Sequence, residues 1–311
     1  MSNTSIDSVF KKKYVSVHSE DITNIKNGRF YIDLPDSIRM IYGLKVSQVV
    51  LPRVYMFTDV YENTEFEISF NSIIYKVQIT EGNYTPKQLA TELTYRMNNA
   101  QRADGTNISA IGSTSPVDFE IVYHEVLHKF IIFERKSANV QLVKSPTRNN
   151  LEQRHHSTLL DILGFDTKSS LFTFNTYKNH IFTYDPSATT IKPNSPNGVN
   201  VIIPDNPTFL ENPQVIYLEI GSFNTMDEIE PGVYNTFRTN GGFCKILLPY
   251  CNDVDDNTSG VDSFLDVETQ FKTPLERIKR IECVFRYHNK KYVDFKNQPF
   301  SFTFEFICLR E

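Results

Sequence analysis

The chain has 311 residues, with 32 Lys and Arg against 37 Asp and Glu and a formal net charge of −5. That acidity excludes a global field for nucleic acid, so no direct nucleic-acid partner is expected. A composition 40% hydrophobic and 22% charged excludes a disordered chain.

The 24 Phe and 16 Tyr, with no Trp, favour strands. No stretch reaches the roughly 18 apolar residues of a membrane-spanning helix. The first residues are polar, with the basic run Lys11-Lys12-Lys13, and lack the apolar core of a secretory signal. Residues 1–13 read as a polar N-terminal arm ahead of a single elaborated sandwich domain over 14–311.

Taken in chain order, the first strand candidates are Arg29–Leu34 and Leu44–Leu51. Phe66–Phe70 and Tyr75–Thr80 alternate apolar and polar residues, and Asn71-Ser72 between them reads as a hairpin turn. Thr85-Pro86-Lys87-Gln88 is a helix start, with Thr85 as cap, Pro86 at the first helical position and Gln88 at capping-box spacing. Leu89, Leu93 and Met97 then fall on one face, so the helix runs to about Asn98.

Phe119–Tyr123 and Lys129–Glu134 are the next strands, and Ser157–Leu163 is a second short helix with Gly164 placed to end it. The segment 166–212 is rich in Asn, Thr, Ser and Pro and reads as a long loop excursion from the core. Val215–Ile220, Phe243–Leu248 and Arg277–Tyr287 follow. The last strand sets Phe300, Phe302, Phe304 and Phe306 on one face, which has to be buried. About ten strands without β-α alternation predict an all-β, jelly-roll-like antiparallel sandwich with two short helical insertions.

One literal catalytic pattern occurs. His124-Glu125-Val126-Leu127-His128 is the H-E-x-x-H of zinc peptidases, in which two His one helical turn apart hold the metal and the Glu is the base. That geometry requires a helix. Here β-branched and aromatic runs flank the motif, so His124, Glu125 and His128 read as a hairpin tip and the match as chance, with no metal and no cofactor expected.

His155-His156 and the acidic stretch Asp253–Asn257 read as solvated. The four cysteines, Cys244, Cys251, Cys283 and Cys308, form no C-x-x-C pair and read as reduced, which suits a reducing compartment.

Three pieces together resemble a known family. The first is Ile79-Thr80-Glu81-Gly82-Asn83-Tyr84-Thr85-Pro86 leading into Leu89 and Leu93. The second is Leu160-Asp161-Ile162-Leu163-Gly164-Phe165. The third is the strand Ile278–Arg286 leading through Tyr292-Val293-Asp294-Phe295 to Phe300–Phe306. Their order, over roughly 40–165 and 270–308, resembles the jelly-roll minor capsid and penton-type proteins of large icosahedral double-stranded DNA viruses, the nucleocytoplasmic giant viruses.

The resemblance implies a non-enzymatic shell component of the virion, assembled in the host cytoplasm. It implies contacts with the major capsid protein, other minor capsid proteins and further copies of itself. A receptor- or glycan-binding fibre-type sandwich is the alternative, and a zinc hydrolase using His124, Glu125 and His128 a more distant one.

Overall fold

A computed structural model provides the fold and describes residues 9–23, 25, 28–145, 158–166, 169–179, 182–184, 189–208, 210, 215–224, 226–231, 237–248, 268–287 and 291–310. Strands β1 (Phe10–His18) and β2 (Arg29–Val50) come first. They are followed by β3 (Glu65–Phe70), β4 (Ile73–Gln78), helix α1 (Pro86–Asn98), β5 (Phe119–His124), β6 (Lys129–Glu134) and β7 (Val140–Val143). Helix α2 (Leu159–Ile162) leads to β8 (Leu171–Thr173), β9 (Asn175–Tyr177), β10 (Phe182–Tyr184), β11 (Thr189–Ile191) and β12 (Val199–Ile202). The chain closes with β13 (Val215–Ile220), β14 (Met226–Pro231), β15 (Phe237–Gly242), β16 (Cys244–Leu247), β17 (Thr269–Arg286) and β18 (Ser301–Leu309).

The fold is all-β and jelly-roll-like, and its strand pairs are antiparallel. Where the sequence suggested one elaborated domain over 14–311, contacts gather into two compact units, Met1–Val54 with Glu211–Glu311, and Tyr55–Leu210.

The first unit is a six-stranded sheet in the order β1-β18-β2-β17-β13-β16, with the separate hairpin β14-β15. Its centre is β2, which joins the two strands expected at Arg29–Leu34 and Leu44–Leu51 into one. Pro35 falls inside this strand, and a bulge accommodates it. Between the pairs Asp33↔Arg280 and Ile38↔Ile278, β2 advances from 33 to 38 while β17 moves only from 280 to 278. A proline has no N–H for the ladder, and a bulge is where a central strand tolerates one.

The mirror case follows at once. Between Ile41↔Leu275 and Gly43↔Gln270 the extra residues, Pro274 among them, lie in β17. Met40, between the two bulges, takes a left-handed φ of 52°. Residues 10–13 are not a free arm: β1 pairs with β18 from Phe10 onward, so Lys11, Lys12 and Lys13 charge a sheet edge. Lysines on an edge discourage pairing with other chains.

The alternation of β18 buries Phe300, Phe302, Phe304 and Phe306. Successive rings lie 6.4, 5.1 and 5.8 Å apart. Phe30 and Phe285 close on them, at 5.6 and 5.3 Å from Phe300. Each such ring contributes about 1.5–3 kcal/mol by leaving water.

The second unit holds two four-stranded sheets, β4-β3-β7-β8 and β5-β6-β12-β9, and the hairpin β10-β11. The β3-β4 turn is Asn71-Ser72, both at positive φ (50° and 63°), as a two-residue hairpin turn requires. Strand β6 is apolar without alternation because both faces are covered. Phe130 and Ile132 enter one cluster with Leu89, Leu93, Phe119 and Leu142. Ile131 and Phe133 enter another with Ile191, Val199 and Val201. The second cluster corrects the reading of 166–212 as a loop excursion. That segment contributes β8, β9 and β12 to the sheets, and Ile191 of β11 packs against the face that β6 shares with its neighbour β12.

Helix α1 forms as its sequence predicts. Thr85 Oγ1 accepts from Gln88 N (3.3 Å), Gln88 Oε1 accepts from Thr85 N (2.9 Å), and Leu89, Leu93 and Met97 are buried. The turn before it works as a latch. Asn83 Oδ1 accepts from Met56 N at 2.7 Å, Phe57 and Gly82 exchange backbone bonds, and the Tyr84 ring meets Phe57 edge-on at 5.6 Å.

Helix α2 has its own capping box, Thr158 with Asp161, and Lys144 Nζ lies 2.6 Å from Asp161 Oδ1. Gly164 ends it at φ +94°, and a Cβ there would overlap the carbonyl of Asn206, whose N–H donates to Gly164 O at 2.9 Å. Gly164→Ala therefore meets both strain and a backbone clash, and a loss of at least about 2 kcal/mol is expected in urea unfolding. A loss below about 0.5 kcal/mol would refute the fit.

Glu134 is fully buried at the end of β6. Its carboxylate accepts from the N–H groups of Asp118 (3.1 Å), Lys136 (3.1 Å) and Ala138 (2.6 Å). Burial still outweighs these bonds and holds its pKa above the usual 4.5. The fold thus favours the protonated acid. The stability this group adds is full below its ordinary pKa and is lost as pH rises through the raised value. The stability of the wild type relative to Glu134→Gln is expected to fall as pH climbs from about 4 and then level off. A flat difference in pH-dependent thermal unfolding would contradict this.

Candidate interaction surface

The H-E-x-x-H motif lies on a hairpin. His124 is the last residue of β5, Lys129 the first of β6, and the two pair across the tip. Residues 125–128 form the turn, with His128 at φ 51°. The imidazoles serve the turn itself. His124 Nδ1 accepts from Leu127 N at 3.2 Å, and His128 Nδ1 is 3.1 Å from the Tyr123 hydroxyl. Among the described residues no group of three or more His, Cys, Asp and Glu side chains gathers in a metal-binding arrangement.

The base of the hairpin is anchored. Lys129 Nζ donates to the carbonyls of Pro204 (2.9 Å) and Asp205 (2.8 Å), and Thr208 N donates to His128 O at 2.6 Å. The tip carries Val126, 82% exposed, and Leu127, 48% exposed. No other large hydrophobic described as exposed is as bare as Val126.

In the first unit, one face of β2 and β17 carries a cross-strand charge ladder. Arg280 grips Asp33 with two bonds of 2.7 Å and lies over the Tyr31 ring at 5.6 Å, while Glu282 meets Arg29 Nε at 3.3 Å and the Tyr31 hydroxyl at 3.3 Å. The hydrogen bond from Arg280 holds the Asp33 carboxyl below its ordinary pKa. Such exposed pairs add little stability but fix cross-strand register.

Nearer the β1 edge the same sheet has a notch. Lys12, Ile307, Gly43 and Gln270 stand opposite one another in register across β1, β18, β2 and β17. Beside this row lies a half-open groove of about 390 Å³, lined by Phe10, Lys12, Tyr42, Glu268, Gln270 and Ile307. Phe10 and Tyr42 pack at 5.0 Å, Gln270 Nε2 donates to Glu268 Oε1 at 3.2 Å, and Lys12 Nζ is 2.5 Å from Glu305 Oε1. Sequence reasoning missed this groove. No local signal marks it, because its lining residues meet only when β1, β2, β17 and β18 pair.

The remaining sequence candidates fall in place as architecture or outside view. The phenylalanines of β18 are core and present no face for stacking. Cys244, Cys283 and Cys308 are buried free thiols, and burial pushes the Cys244 thiol up to about 12 and that of Cys283 higher still. His155, His156, Cys251 and Asp253–Asn257 lie outside the described residues.

No family model matches the chain, and no curated protein matches it. Among solved structures it is similar to the crystal structure of the selenomethionine-labelled mavirus penton protein. The identity is 11% and the TM-score 0.42, with 96% of this chain and all of that one covered.

The hairpin predicts a metal result. Purified protein incubated with zinc and dialysed is expected to retain no stoichiometric metal, with His124→Ala indistinguishable from wild type by elemental analysis. Bound zinc that disappears with that substitution would convert the tip into a metal centre.

Proposed function

We propose that this chain is a non-enzymatic structural component of a viral capsid, of the minor-capsid or penton type. The observation that carries the reading is the ordered series of three motifs resembling those proteins, in a chain of jelly-roll-like antiparallel sheets. Each motif has an architectural task. The Gly82-Asn83-Tyr84-Thr85 turn latches residues 56–57 and caps α1, the 160–165 element packs α2 into the core through Gly164, and β17 with β18 forms the aromatic wall of the first unit.

In this reading the chain resides in the virion capsid and is assembled in the host cytoplasm. Its partners are the major capsid protein, other minor capsid proteins and copies of itself. Contacts are made by surface shape and charge, without turnover. The large icosahedral double-stranded DNA viruses are the source to which the motifs point. Mass spectrometry of purified particles tests this: the chain is expected at a fixed ratio to the major shell protein. Its presence in infected cells and consistent absence from particles would overturn the proposal.

A further inference from the structure

A lysine and an aspartate meet almost out of water inside the second unit. Lys144 follows β7, and its N–H donates to Ser170 O at 3.0 Å. Its Nζ donates to Asp166 O at 2.9 Å and lies 5.8 Å from the centre of the Phe172 ring. Asp161 is held as firmly on α2. Its N–H donates to Thr158 Oγ1 at 3.3 Å, and its Oδ2 accepts from Thr158 N (3.2 Å) and from the Thr158 hydroxyl (2.6 Å). The side chains of Lys144 and Asp161 are only 12% and 8% exposed. The two carboxylate oxygens differ. Oδ2 has both donors, whereas among the described residues no donor is aligned on the buried Oδ1, although Lys144 Nζ stands 2.6 Å from it.

We propose that Lys144 and Asp161 condense to an amide, an intramolecular cross-link between the end of β7 and α2. The ammonium gives one proton to Oδ1, and the neutral amine attacks Cγ. The Nζ–Cγ bond forms and the Cγ–Oδ1 bond breaks. Nζ gives a second proton to the departing oxygen, which leaves as water. Oδ2 stays as the amide oxygen, and its two donors already face the charge that grows there in the tetrahedral intermediate. The one N–H left on Nζ keeps the Asp166 carbonyl as its acceptor. The step needs no oxidant, metal or second substrate.

Two features favour the amide over a lasting ion pair. Keeping an ammonium and a carboxylate out of water is costly, and condensation removes both charges. Both partners are also fixed by neighbours, and Cγ lies one covalent bond from Oδ1, so little further ordering precedes the attack. The bond closes residues 145–160 into a loop and so restricts the unfolded chain, as a disulfide does.

The test is the mass of the intact, denatured protein after storage at neutral pH. The wild type is expected one water below the mass of its sequence, and Lys144→Arg and Asp161→Ala at the full masses of theirs. Trypsin is expected to release residues 137–148 joined to 155–168, because an acylated Lys144 is not cleaved. Thr158→Val, which takes one donor from Oδ2, is expected to slow the loss of water at least about tenfold, and Thr158→Ser to restore it. A wild type at full mass would overturn the cross-link, and that reading needs no variant to fold. A Lys144→Arg variant that also loses water, or a light wild type whose digest lacks the joined peptides, would overturn it equally. Thr158→Val reacting as fast as the wild type would remove the hydroxyl from the step. The outcome is independent of the particle test, since it is read on the purified chain whatever its place in the virion.

Discussion

The continuity of β2 is the constraint on which the first unit depends. A strand of 22 residues is too long for one flat sheet to use, and this one pairs with β17 along its first part and with β18 along its second. Only around residues 41–44 do both neighbours pair with it at once. The two bulges on either side of Met40 let the ladder bend there without breaking. Because β2 bends, Phe30 near its start reaches Phe300 and Phe302 of β18. The aromatic wall is thus a result of backbone geometry as much as of composition.

Much of this was legible in the residues, and what was hidden shared a physical cause. Elements whose signals are local came through. Thr85, Pro86 and Gln88 specify a helix start within one turn, Asn71-Ser72 specify a hairpin, and the Phe comb specifies a buried face. What failed were inferences that depend on a distant partner. The strands expected at Arg29–Leu34, Leu44–Leu51 and Arg277–Tyr287 stop short of the real ones because the bulges around Pro35 and Pro274 exist only once β2 and β17 are paired. Lys11–Lys13 read as a tail because the pairing of β1 with β18 spans nearly the whole chain. Asn and Pro in 166–212 suggested a loop, yet Asn200 is buried and bonded to the Thr176 hydroxyl (2.6 Å) and the Ala138 carbonyl (2.7 Å).

The surface shows the same division. The H-E-x-x-H string is legible as a hairpin because flanking β-branched residues override the motif. Nothing local announces that its central Val126-Leu127 stays bare or that Lys129 and Thr208 clamp its base. The groove beside β1 is less legible still, because its lining comes from strands near both ends of the chain that have to come into register first.

The order of strands in the first sheet also sets a timetable for synthesis. Strands β1 and β2 emerge before the second unit, but their partners β17 and β18 are made only after it. The second unit has every strand of its sheets, and both its helices, between residues 55 and 210, so it can collapse while the ribosome is still working. Throughout that interval β2 waits with both ladder edges open, and Phe30, Ile38, Ile41 and Leu44 uncovered. Pairing across such sequence distances is slow. The three lysines of β1 then have a second value: they keep the waiting segment charged until β18 is made and covers it.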